Sequence, residues 1–131
     1  MTRVLFGVSL LALAGLAATG LMGWSTGLRG VTLLTHTTIG PAFLAMFAVS
    51  ALLVGRRFDW GGKAPVARKA LFGFSLAAAL LCGGSILAAM TRFAGYSDQI
   101  SLNAVHSWSG LALAVTGGVS LAWLVLRPSR D

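Results

Sequence analysis

Acid is scarce in this sequence. Asp59, Asp98 and Asp131 are its only carboxylate side chains, glutamate is missing, and charged residues fill 10% of the 131 positions, against about 25% in soluble domains. So little charge cannot cover a water-facing surface, which excludes an ordinary soluble domain. None of the three aspartates lies inside a long apolar run, and intramembrane carboxylates are the groups that many ion-coupled transporters depend on. Cysteine is scarcer still: Cys82 stands alone, which rules out an internal disulfide framework and any Cys-x-x-Cys-His attachment run. It is read as a small core residue. Of three prolines, only Pro41 falls deep in an apolar run, so the paired broken helices of many transporters are missing too.

What remains is overwhelmingly apolar. Hydrophobic residues make up 56% of the chain, and they gather in four runs, approximately 4–22, 31–54, 66–90 and 100–126. Each run is near or beyond the roughly 20 residues that cross about 30 Å of hydrocarbon. The connections 23–30, 55–65 and 91–99 are short, so consecutive helices must be antiparallel neighbours. The prediction is an all-α integral membrane protein, one antiparallel four-helix bundle over residues 1–131. The first run is read as a spanning helix and not as a cleaved leader, because its opening Phe6-Gly7-Val8-Ser9-Leu10 recurs as Phe72-Gly73-Phe74-Ser75-Leu76 in the third.

Charge sets the orientation. Arg56, Arg57, Lys63, Arg68 and Lys69 cluster around the second connection against one Asp59, with Arg3 at one end of the chain and Arg127 and Arg130 at the other. The other two loops carry only Arg29 and Arg92. The positive-inside rule therefore predicts cytoplasmic termini and a cytoplasmic second loop. The net charge of +7 is accounted for by topology and lipid contact, with no nucleic-acid partner. Trp24, Tyr96 and Trp108 fall near the outer interface and Trp60 and Trp123 near the inner one, where amphipathic rings prefer to lie.

Against this background the two histidines stand out. His36 and His106 are the only ones in the chain, and both lie inside spanning segments, where ionisable groups are rare and usually functional. Each sits six or seven residues into its run, which puts both roughly 8–10 Å deep from the outer face at about 1.5 Å rise per residue. Each is followed four residues on by glycine, Gly40 and Gly110. The repeat between the first and third helices, with four residues allowed for loop length, also brings His36 onto His106. Two hairpins related by a pseudo-twofold along the membrane normal are therefore expected, with the histidines facing one another across the bundle axis.

The neighbours on the histidine stripes limit the chemistry. His36 is followed on its face by Gly40, Phe43, Phe47 and Ser50, and His106 by Gly110, Leu113, Gly117 and Ser120. Glycine one turn from each imidazole removes bulk where a flat macrocycle would lie. Zinc usually takes four N, S or O ligands, and no carboxylate or thiol is expected at the histidines' depth. Two trans imidazoles are, however, a complete axial set for haem iron. The competing reading is plain packing: an intramembrane histidine can hydrogen-bond across helices, and glycines can serve close helix contact. Ala12, Gly15 and Thr19, with Gly83, Gly84 and Ala88, are read as such contacts, and Gly20 is read as lying off the site. Partners for the free ring nitrogens are expected one turn away, Thr32 or Thr35 for His36 and Leu102 or Asn103 for His106. Trp108 either touches the cofactor or simply anchors the helix.

The segments Leu34-Thr35-His36-Thr37-Thr38-Ile39-Gly40-Pro41-Ala42-Phe43 and His106-Ser107-Trp108-Ser109-Gly110-Leu111-Ala112 resemble the haem-ligand helices of the small bacterial cytochrome b group. That group includes cytochrome b561 and the b-type subunits of formate dehydrogenase and nickel-iron hydrogenase. The resemblance implies haem b, exchange of electrons with quinone or quinol, and a place in the bacterial cytoplasmic membrane beside an extracytoplasmic redox protein or a larger respiratory complex. Those families commonly hold two haems on four histidines; this chain has two, enough for one haem, so that electron transfer across the whole membrane is in doubt. The expected site is His36 and His106 on iron, Gly40 and Gly110 beside the macrocycle, and Arg29 and Arg92 either at the haem propionates or snorkelling to the interface. A non-redox anchor or assembly subunit is the main rival, ahead of a transporter.

Overall fold

The computed structural model describes residues 2–27, 29–57, 65–91 and 95–126. It has four helices: α1 Thr2–Thr26, α2 Gly30–Arg57, α3 Val66–Ala89 and α4 Tyr96–Leu126. All four are long and apolar enough to cross a membrane. Their order and type agree with the sequence reading, but α1, α2 and α4 extend past the apolar runs. In α4 the cause is chemical. The Asp98 carboxylate reaches back to accept the Gly95 N–H at 3.0 Å, the reciprocal half of a capping box, and the first helical bond, Gln99 N–H to Gly95 carbonyl, follows at 3.0 Å. The polar stretch 96–99 therefore belongs to the helix and not to the preceding loop.

The turn from α1 to α2 is made by glycine. Gly27 has φ of 75° and its N–H meets the Gly23 carbonyl at 2.9 Å, a left-handed cap that side chains with a Cβ rarely adopt. Gly30 repeats the positive φ, at 53°. Two such residues reverse the chain within a few positions and hold α1 and α2 as a hairpin.

The helices pack unequally. α4 lies along α3 and α1, α1 also packs on α2, and α2 and α3 barely meet. Large apolar side chains face outward, among them Leu11 at 74% and Leu80 at 70% exposure. The interior holds Phe6, Leu13, Phe43, Phe47, Ala78, Ala79, Leu113 and Leu121. That arrangement suits lipid, where association rests on close packing and hydrogen bonds and not on expulsion of water. Buried serines add to the close packing, since Ser9, Ser50 and Ser75 are almost wholly enclosed, and one pair bonds across helices, the Ser75 and Ser120 hydroxyls lying 3.3 Å apart between α3 and α4. Beside them a cavity of about 20 Å³ is lined by Phe47, Ser50, Ser75 and Ser120 among others. It has room for one water and none for a macrocycle. Arg68 stacks on the Trp123 ring at 4.1 Å, tying α3 to α4 at the end of the bundle away from the histidines. Trp60 lies outside the described residues.

Candidate functional site

The histidine stripes face inward, as their spacing predicts. Phe43, Phe47 and Ser50 below His36, and Leu113 and Gly117 below His106, are buried. Both histidines are half-buried, and their rings lie 6.2 Å apart, centroid to centroid, at an interplanar angle of 81°. Residues 70 positions apart in sequence thus meet at one level between α2 and α4.

The hydrogen bonds decide which nitrogen of each ring is available. Thr19 Oγ1 on α1 lies 2.9 Å from the Gly15 carbonyl and 3.1 Å from the Leu16 carbonyl, and a hydroxyl has one proton to give. With that proton spent on its own helix, Thr19 accepts from His36, whose Nδ1 lies 2.8 Å away. His106 Nδ1 lies 2.9 Å from the Cys82 carbonyl on α3, and a carbonyl can only accept. Cys82 Sγ flanks the same nitrogen at 3.4 Å. The His106 ring therefore holds its proton on Nδ1, and Thr19, with its hydroxyl proton directed to α1, allows His36 the same tautomer; a neutral imidazole protonated on Nδ1 leaves Nε2 as a bare acceptor. Neither Nε2 has a hydrogen-bond partner among the described residues.

These partners replace the ones expected from sequence. The structure shows no bond from Thr32, Thr35 or Asn103, or from the Leu102 carbonyl, to either ring. Thr19, read as a packing residue, and Cys82, read as a small core residue, hold the imidazoles, and with Cys82 Sγ 3.4 Å from His106 Nδ1 a thiol does lie at the histidines' depth, contrary to expectation. Gly20 is also at the site, since a Cβ added there would come within 3.6 Å of His36 Cε1. A hydroxyl inside an apolar run was a usable signal for Thr19. Cys82 acts through its backbone, which carries no signal in the side-chain pattern.

The two glycines differ. A Cβ on Gly40 would meet nothing within 4 Å, whereas one on Gly110 would touch Cys82 Sγ at 3.6 Å. Gly40 therefore borders open space and Gly110 lies against α3. Among the close-packing candidates, Gly83 does receive a neighbour, with Leu44 Cδ1 3.0 Å from where its Cβ would be, but Gly15 and Gly84 face nothing within 4 Å. Trp108 packs edge-on against Trp24 at 5.3 Å, two residues beyond His106, closing the α1–α4 seam there. Arg29 is exposed, and Arg92 lies outside the described residues.

Among the described residues no group of three or more His, Cys, Asp or Glu side chains converges. A metal between the imidazoles would thus have to bring most of its own ligands. His36 and His106, with ring centroids 6.2 Å apart, are the two side chains that would hold such a group, and Gly40, one turn along α2 from His36, borders open space. No family model, curated protein or solved structure matches this chain.

Proposed function

We propose that this chain is a membrane cytochrome of the b type, holding one haem between His36 and His106 and passing electrons between quinone or quinol and an extracytoplasmic redox protein. The observation that carries the reading is the pair of imidazoles with both Nδ1 atoms engaged and ring centroids 6.2 Å apart. Two such rings, each with Nε2 left without a hydrogen-bond partner among the described residues, suit a Lewis acid that would bring its own remaining ligands. When bound, haem supplies one-electron redox chemistry. The protein's part is ligation and orientation: His36 and His106 donate from α2 and α4, while Thr19 and the Cys82 carbonyl fix their tautomers. Gly40 leaves the side open for the ring edge. Arg29 is the described base on the loop nearest the site.

Single-haem stoichiometry is supported by the opposite half of the bundle, where Phe43 and Leu113 are buried and Phe47 and Leu121 border a water-sized cavity. In the proposed orientation the basic second connection is cytoplasmic and the histidines lie near the outer face of a bacterial cytoplasmic membrane. The proposed repeat of two hairpins is supported by burial: Ser9 and Ser75 are both enclosed at matching positions of α1 and α3, as are Phe43 and Leu113 in α2 and α4. Its equivalence is broken at the seams, since α1–α4 is packed and α2–α3 is not.

Pigment tests the function. Detergent-purified protein from haem-replete cells should carry one extractable, non-covalent haem per chain, with a sharp Soret band and the reduced α and β bands of low-spin bis-imidazole iron. A colourless preparation from the same cells refutes the reading.

A further inference from the structure

The two imidazoles are anchored by unlike means. His106 is held by a backbone carbonyl, which no side-chain replacement removes. His36 is held by one hydroxyl, and that hydroxyl is in turn aimed by its bonds to the Gly15 and Leu16 carbonyls. Behind the His36 ring the Gly20 position offers only its missing Cβ, which would stand 3.6 Å from Cε1. On this face α1 thus supplies one polar contact and a shallow backstop.

We infer that Thr19 is the positioning residue of His36, and that it makes His36 the less securely held of two axial ligands. This rests on the haem reading above for its consequence at iron, but not for its account of the free imidazole. Remove the hydroxyl and the His36 Nδ1–H loses its acceptor inside an apolar bundle, where an unmet donor is costly. The ring then escapes the penalty by moving its proton to Nε2 or by rotating, and either change withdraws the Nε2 lone pair from the site. No equivalent route exists for His106, because the Cys82 carbonyl persists whatever side chain stands at 82.

The test compares Thr19→Val, which keeps the shape and deletes the hydroxyl, with Thr19→Ser, which keeps the hydroxyl, and with Cys82→Ala. In the haem-loaded chain Thr19→Val should loosen the sixth ligand by about 10- to 100-fold, the range for loss of a partner behind a metal-bound histidine. The readout is a high-spin fraction in the oxidised spectrum and carbon monoxide binding by the reduced protein, both negligible in the parent. Thr19→Ser and Cys82→Ala should retain the parent spectrum. A Thr19→Val spectrum and carbon monoxide response equal to the parent's, or a Cys82→Ala variant that opens to carbon monoxide as readily, overturns the inference and leaves the cytochrome reading standing. In the haem-depleted full chain, imidazole ¹⁵N shifts should report His36 protonated on Nδ1, with that state lost in Thr19→Val while His106 is unchanged. Protonation on Nε2 in the parent overturns it even if no haem is ever bound.

Discussion

The bundle has one closed seam and one open one. Between α1 and α4, Trp24 meets Trp108 and Leu13 reaches the bare backbone at Gly117, 3.5 Å from where a Cβ would be. Between α2 and α3 the contact is slight, with Leu44 against Gly83 at its centre. A strict twofold would make these seams equal, so their difference is informative. It leaves α2 held by α1 alone along most of its length, with open space beside Gly40. A metal centre joining His36 to His106 would brace α2 to α4 diagonally, supplying what the α2–α3 seam does not.

The largest effect expected from that comparison follows removal of either brace. His36→Ala and His106→Ala should each abolish the low-spin spectrum, and each should also free α2, seen as protease cleavage or hydrogen exchange in α2 that rises far more than in α3 or α4. Uniform loosening of all four helices would mean that the seams are equally strong. An intact spectrum in either variant would show that the histidines are not a trans pair.

Much of this site was legible from spacing, and the reasons are physical. Helical periodicity carries His36, Gly40, Phe43, Phe47 and Ser50 onto one face, because the helix repeats every 3.6 residues whatever surrounds it. Equal distance from the segment ends placed the histidines at one level. Contacts across helices were not legible, since nothing local to His36 encodes that Thr19 and Gly20 stand opposite it. The same holds for the Cys82 carbonyl. The start of α4 was hidden for another reason: Tyr96, Ser97, Asp98 and Gln99 look like loop by polarity, and only the Asp98 bond to Gly95 explains why the helix begins there.

A smaller effect should separate the two glycines that looked equivalent in sequence. Gly40→Leu places a side chain in the open space beside the site and should reduce haem content by at least about tenfold, the lower range seen when support of a metal site is disturbed. The protein itself should remain folded, because nothing within 4 Å opposes the first carbon. Gly110→Leu pushes into Cys82 Sγ, 3.6 Å from the position of its Cβ, and should lower both haem content and the yield of folded protein. Helical content by circular dichroism, measured beside the haem-to-protein ratio, distinguishes the two. Parallel losses in both variants would place Gly40 in a packed interface, contrary to the open seam.

The smallest effect concerns the seams themselves. Alanine at Gly117 must fit against Leu113 Cδ1 at 3.1 Å and Leu13 Cδ2 at 3.5 Å, and both leucines are buried, at 3% and 5% exposure. Neither has free space to move into, so overpacking should cost about 1–3 kcal/mol, offset in part by the roughly 1 kcal/mol by which alanine outperforms glycine within a helix. Alanine at Gly83 meets a closer atom, Leu44 Cδ1 at 3.0 Å, yet that atom ends a flexible side chain bordering the open seam. Leu44 can turn aside, and the helical gain then leaves Gly83→Ala near neutral. Thermal unfolding in detergent, followed by tryptophan fluorescence, should therefore rank Gly117→Ala below Gly83→Ala even though the nearer contact belongs to Gly83. The reverse ranking would show that the α2–α3 seam is the rigid one, and that room to yield, not contact distance, was misjudged there.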